Sequence, residues 1–168
     1  MAISMYQISL PIFVRQLSGL AGCMKKTQAL YAEKKYDESS LLSYRFFPDM
    51  FSLSRQVQAA TDHARNCTAL LAGVEAPKFE MNEKSLADPV ARVEKTVAWL
   101  KTIKPEQLDG SEEKAVTVKA GERELNFKGT ELLLNRSLPN FYFHATTAYD
   151  ILRHNGVDLG KRDFMGAA

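Results

Sequence analysis

The chain has 168 residues, 45% of them hydrophobic and 25% charged, with 22 basic side chains against 20 acidic ones. That length suits a single domain with a core large enough to need no disulfide staples, and the composition excludes a disordered chain. A net charge of +2 without a concentrated basic face excludes nucleic acid as the expected partner, and no run of about 18 apolar residues is present to span a membrane. The opening residues Met-Ala-Ile-Ser-Met-Tyr-Gln lack the charged and apolar regions of a signal peptide. Cys23 and Cys67 form neither a disulfide framework nor a zinc pattern. Both fall on apolar stripes and read as small buried hydrophobes in a reducing compartment, so a cytoplasmic location is expected.

Tyr6, Leu10, Phe13, Leu17, Leu20 and Met24 recur at helical period and predict a first amphipathic helix from about Ser4 to Tyr31. Pro11 lies inside this pattern, so the helix either starts near it or kinks there. Asp37 is placed to cap a short piece over Glu38 to Tyr44. In Arg45-Phe-Phe-Pro-Asp-Met-Phe51, Pro48 breaks the backbone and Asp49 is expected to cap the next helix, with Arg45 as its charge partner. That second helix carries Leu53, Val57, Ala60, Ala64, Cys67 and Leu71 on one face and ends at Gly73. Gln56, Asp62 and His63 lie off the stripe.

After a loop containing Pro77, Ser85-Leu-Ala-Asp88 resembles a capping arrangement for a third helix bearing Leu86, Val90, Val93, Val97 and Leu100. Trp99 and Ile103 widen its apolar face, and Lys104-Pro105 ends it. The period then changes. Val116 and Val118, then Leu125 and Phe127, alternate with polar residues around Ala120-Gly121 and predict a hairpin pairing Ala115–Lys119 with Glu124–Lys128. Such a hairpin is marginal alone and must lie on the helices or on another subunit. Thr130 is placed to cap a run through Arg136, and Pro139 predicts a break or kink before the last long helix, Leu138 to Gly156. The tail Val157 to Gly166 mixes charges, aromatics and glycines too specifically for a loose end. The elements add up to an all-α fold, a four-helix bundle in one domain over residues 1–168, with a hairpin inserted between helices 3 and 4 at about 115–128.

The last long helix carries the densest chemistry. It sets Asn140, His144 and Thr147 on one side, beside an apolar stripe of Phe141, Ala145, Ala148 and Leu152. Inward polar groups on facing helices are what a site inside a bundle requires. The pocket candidates are therefore Asp49, Gln56, Asn140, His144 and Thr147. His63 and His144 are the metal candidates, for zinc or nickel, with Asp62 or Asp49 as third ligand. His144 equally suits a hydrogen-bonded structural histidine or a proton-transfer group. His63 reads as solvated, and His154 as a partner of terminal carbonyls. No phosphate loop, HExxH helix or nucleophile elbow is present.

Several segments together resemble an uncharacterised bacterial subgroup of the DinB-like (DinB/YfiT-like) four-helix-bundle superfamily. They are Arg45-Phe-Phe-Pro-Asp-Met-Phe51, Gln56-Val57, Leu71-Ala-Gly73, Leu138-Pro-Asn-Phe-Tyr-Phe-His144, Thr147-Ala-Tyr149, Ile151-Leu-Arg-His-Asn-Gly-Val157 and Gly160-Lys-Arg-Asp-Phe164. The resemblance implies an up-down-down-up bundle that forms a homodimer. In many members three histidines bind a divalent metal, two of them four residues apart on one helix, and some members are thiol-dependent transferases or isomerases. His144 matches one of that pair, and Ala148 stands where the other would be. The expected function is binding of a small molecule around His144, either without catalysis or as a degenerate metal-dependent enzyme. The alternative is a non-catalytic dimeric bundle acting by self-association or partner binding.

Overall fold

The computed structural model describes residues 3–166. Helix α1 spans Leu10–Lys34 with Pro11 in its first turn. Residues 5–9 form turns, so of the two outcomes open at Pro11 the helix starts there, where its missing N–H costs no hydrogen bond. Phe13, Leu17, Leu20 and Met24 are buried as their spacing predicts. Helix α2 spans Glu38–Ser43, and the Asp37 carboxylate accepts from the Ser39 and Ser40 amides at 3.0 and 3.1 Å. Helix α3 spans Leu53–Ala72 and ends at Gly73, whose φ of 70° suits a residue without Cβ.

Asp49 does not cap α3. The N-cap is Ser52, Asp49 is exposed, and Arg45 donates instead to the Met50 carbonyl at 3.3 Å. Three residues separate Asp49 from the helix start, and the turn after Pro48 uses them up.

Helix α4 spans Ala87–Leu100. Asp88 reaches back to accept from the Ser85 and Lys84 amides, both at 2.8 Å, which is one half of a capping box. The loop before α4 is fixed by buried charge. Arg92 pairs with Glu83, whose other oxygen accepts from Gln58, while Phe79 lies 4.8 and 5.6 Å from the Arg65 and Arg92 guanidinium carbons. Pro105 opens a short helix, α5 (Pro105–Leu108), as well as closing the run before it.

Strands β1 (Ala115–Ala120) and β2 (Arg123–Lys128) pair antiparallel in the predicted register, Val116 opposite Phe127 and Val118 opposite Leu125. Gly121 turns the chain at φ 62°. Val116 is buried, and Val118 and Phe127 pack on the helical core, so the hairpin takes its support from its own chain.

The predicted break at Pro139 is absent. A short helix α6 (Gly129–Glu131) runs through a π-helical segment, Leu132–Ser137, straight into α7, Leu138–His154. The wider turn absorbs the proline ring: the Leu138 N–H reaches back five residues to the Leu133 carbonyl, and Asn140 Nδ2 donates to the Arg136 carbonyl at 2.7 Å. Thr130 is not a cap; its hydroxyl and amide both donate to the Glu112 carbonyl.

Helices α1, α4, α3 and α7 pack in that order around a ring, so the first two long helices of the sequence lie diagonally opposed. Phe13 and Phe141 meet edge to face at 4.9 Å at the centre, both fully buried. Each such side chain contributes roughly 2–3 kcal/mol by leaving water. The tail folds into α8 (Lys161–Met165) against α1. Gln16 Nε2 donates to the Phe164 carbonyl at 2.6 Å and Arg15 Nε to that of Met165 at 3.1 Å. Among the described residues no helix is long and apolar enough to cross a membrane.

Candidate functional site

The buried face of α3 brings Gln56 inward, 88 residues in sequence from its partner His144 on α7. Gln56 Nε2 donates to the Phe51 carbonyl at 3.2 Å, just before the helix start. That bond orients the amide and leaves Oε1 to face His144 Nδ1 at 2.7 Å. An amide oxygen only accepts, so Nδ1 carries the proton and the neutral ring keeps its lone pair on Nε2. Sequence spacing named Gln56 and His144 separately; the fold joins them.

His63 joins the same place from two turns along α3. Its ring runs nearly parallel to that of His144, at 14° with centroids 5.7 Å apart, and the Phe51 ring lies at 15° and 5.7 Å. His63 is half-buried rather than solvated. Burial first, then His144 and Arg136, pull its pKa down from 6.5 to about 4. Burial and the Arg55 guanidinium likewise lower that of His144. Both rings are neutral at neutral pH.

These groups border a cleft of about 230 Å³. Its walls include Leu70 on α3, Val118 on the hairpin and Leu132 on the π-helical segment. Cys67 and Ser137 also line it. Burial pushes the Cys67 thiol up to about 12, against a smaller lowering by the Ser137 hydrogen bond, so this thiol stays protonated and unreactive. Arg55, Lys119 and Arg136 supply positive charge. No spacing argument singled out Arg55 or Arg136. The one available signal was Pro139 following a helix-like run, since the π-helical turn that accommodates it also carries Arg136 and Ser137 to the cleft.

The other sequence candidates lie elsewhere. Thr147 is buried but bonds the Phe143 carbonyl of its own helix at 2.7 Å, and Asn140 bonds that of Arg136. Asp49 sits exposed before α3. His154 packs against Tyr44 and Phe46 instead of serving terminal carbonyls.

A three-ligand metal site does not fit this donor set. Zinc in a protein site takes three or four nitrogen, sulfur or oxygen donors, and the described residues hold no group of three His, Cys, Asp or Glu able to meet at one ion. Of the two expected third ligands, Asp62 is paired with Arg65 at 2.7 Å and Asp49 sits exposed before α3. The divalent-metal expectation for His63 and His144 therefore loses its third ligand.

Comparison with known proteins agrees with the fold and the motifs. The DUF1993 family, a domain of unknown function, matches residues 5–165. The crystal structure of a DinB family member protein from Shewanella denitrificans is similar at 34% identity, with a TM-score of 0.84, over 97% of this chain and 92% of that one. No curated protein matches the chain. The chain belongs to the DUF1993 family, a DinB-like group of helical bundles carrying a small hairpin.

Proposed function

We propose that the protein binds a small molecule in the cleft between α3, the hairpin and the π-helical segment, with His144 Nε2 as the acceptor that meets the ligand. One observation carries this reading: the chain of bonds from Phe51 through Gln56 to His144 fixes the Nδ1–H tautomer and leaves Nε2, at a cleft wall, with no hydrogen-bond partner among the described residues. A purely structural histidine would have no need of so defined an orientation with one nitrogen left over. The depressed pKa weighs toward binding over catalysis, because an imidazole that resists protonation is a weak general base at neutral pH. The protonated Cys67 and the incomplete donor set weigh the same way against thiol or metal chemistry. The free, buried cysteines Cys23 and Cys67 suit the cytoplasm.

The test is a fragment screen read on the ring nitrogens of His144 and His63 by NMR. Fragments that occupy the cleft move the His144 Nε2 signal, and His144→Ala abolishes their binding. A screen in which nothing moves that signal ends the proposal.

A second reading, self-association, is supported by exposed aromatic side chains. Phe47 and Phe143 are 62% and 57% exposed, and Phe143 and Phe51 both flank His144. Monomers rarely leave large apolar patches open. A homodimer burying these rings would turn monomeric in sedimentation when Phe47 and Phe143 are both changed to Ser; a wild-type chain that is monomeric at micromolar concentration excludes it.

A further inference from the structure

The cleft wall carries more positive charge than the fold uses. Among the described residues none of Arg55, Lys119 and Arg136 belongs to an ion pair, whereas the one acidic side chain of the lining, Asp62, is already neutralised by Arg65. Among the described residues Arg136 finds no side-chain hydrogen bond either; its guanidinium carbon lies 5.9 Å from the Phe127 ring centre, which holds it beside the hairpin. Arg55 uses Nη1 toward Gln58 and Met81, and lies 5.1 Å from the Phe51 ring centre. A half-buried guanidinium without a counter-ion sits at a disadvantage that a bound anion removes. The two histidines add no positive charge of their own, being neutral, so the surplus belongs to the arginines and the lysine alone.

Size and wall chemistry narrow the anion. About 230 Å³ lies below the range of drug-sized pockets, so the ligand is small. Leu70, Val118 and Leu132 line the same space, and a bare inorganic anion would leave them wet. The planar fork of an arginine matches a carboxylate with two parallel hydrogen bonds.

We propose, resting on the reading of this cleft as a ligand site, that its ligand is a small organic carboxylate. Its charge is met by Arg55 and Arg136, and its apolar body lies along Leu70, Val118 and Leu132. His144 Nε2 then accepts from whatever donor the body carries, and Lys119 closes the solvent side as a mobile counter-charge. The position of Arg136 depends on the π-helical turn, so the device that accommodates Pro139 also builds the anion contact.

Benzoate is the probe, with benzyl alcohol as its uncharged analogue and inorganic phosphate as the anion without an apolar body, all followed on the imidazole signals of His63 and His144. Benzoate is expected to saturate the cleft and to raise the pKa of both histidines, since a nearby carboxylate favours the imidazolium. Benzyl alcohol and phosphate should each bind at least about tenfold more weakly, the factor expected for losing one charge-assisted contact or the apolar one. Arg136→Gln and Arg55→Gln should each weaken benzoate by about tenfold while leaving benzyl alcohol unchanged. Arg136→Lys, which keeps the charge without the fork, should fall between wild type and Arg136→Gln. The Arg55 variant carries the test should Arg136→Gln disturb the hairpin.

Equal binding of benzoate and benzyl alcohol overturns the carboxylate proposal and leaves the ligand site standing. So does benzoate binding that is indifferent to both arginines. Phosphate binding as tightly as benzoate overturns the organic part. If none of the three probes moves either histidine up to tens of millimolar, the weak end of the affinity scale, the carboxylate proposal fails outright; the fragment screen then decides whether the ligand site fails with it.

Discussion

Two buried glutamines in this molecule do opposite things. Gln16 on α1 and Gln56 on α3 are 5% and 1% exposed, and each turns its amide into a seam of the bundle. Gln16 donates to the Phe164 backbone carbonyl of the docked tail, a partner with no second polar atom to offer. Gln56 donates to a backbone carbonyl too, but its oxygen holds a ring with a second nitrogen facing a cleft. The α1–α8 seam is tight at Gly19, where a Cβ would come within 2.6 Å of the Phe164 carbonyl oxygen, and a cleft of about 770 Å³ runs beside that contact. The α3–α7 seam is closed at its core and open at its rim. The same side chain is structural in one place and part of a site in the other, and the difference lies in whether its partner has a polar atom to spare.

The contrast can be removed altogether by cutting the core that both seams share. Phe141→Ala deletes the ring that meets Phe13 and is expected to cost about 3–5 kcal/mol, lowering Tm by roughly 10 °C in a chain of this size. Calorimetry should show one cooperative transition moving as a whole. A loss confined to the tail would mean that the seams unfold separately.

Gly19→Ala acts on the α1–α8 seam alone. The added methyl collides with tail backbone, which cannot rotate away as a side chain would, at a cost of about 2–3 kcal/mol. Protease should then cut near Gly160 while the imidazole signals of His144 stay in place. Movement of those signals would show that the two seams are coupled.

Gln56→Leu acts on the open seam. It leaves the His144 Nδ1–H and the Phe51 carbonyl without their partner, worth about 2 kcal/mol for a buried group left unpaired. Its sharper mark is on the ring itself, because the fixed Nδ1–H tautomer gives way to a mixture visible in the nitrogen shifts. A variant that keeps the single tautomer would remove Gln56 from the role assigned to it.

Acid provides the smallest and most selective probe. His63 is neutral in the fold down to about pH 4, whereas in the unfolded chain it takes up a proton near 6.5. Between those values the unfolded state binds more protons, so stability declines as pH falls from about 6.5 to about 4 and is whole again above that window. Screening at a partly exposed ring reduces the effect to about 1 kcal/mol. His63→Asn should flatten this slope in urea titrations at several pH values, and an unchanged slope would place the proton uptake elsewhere.

Much of the fold is legible in the sequence. The series Leu53, Val57, Ala60, Ala64, Cys67 and Leu71 is buried throughout, and the hairpin register follows from alternation around Gly121. Periodicity of this kind reports which face of an element turns inward, a property each element carries in its own residues. The π-helical turn was not legible, because Pro139 signals a disturbance without saying whether the chain breaks or widens. Asn140 and Thr147 looked like site residues for the same reason that His144 did, as polar groups beside an apolar stripe. In the fold each bonds a carbonyl four residues back along the chain, and of the three His144 is the one that reaches across.

The long helices, their inward stripes, the hairpin and the family motif can all be read from the residues alone. These rest on contacts between near neighbours in the chain. That Gln56 orients His144, that His63 lies beside it, and that Arg55 and Arg136 face one cleft follows from the packing of the whole bundle. Those pairings join residues on separate elements, and they depend on how each helix is rotated about its axis once the cores are packed, a variable that no single stretch of sequence contains.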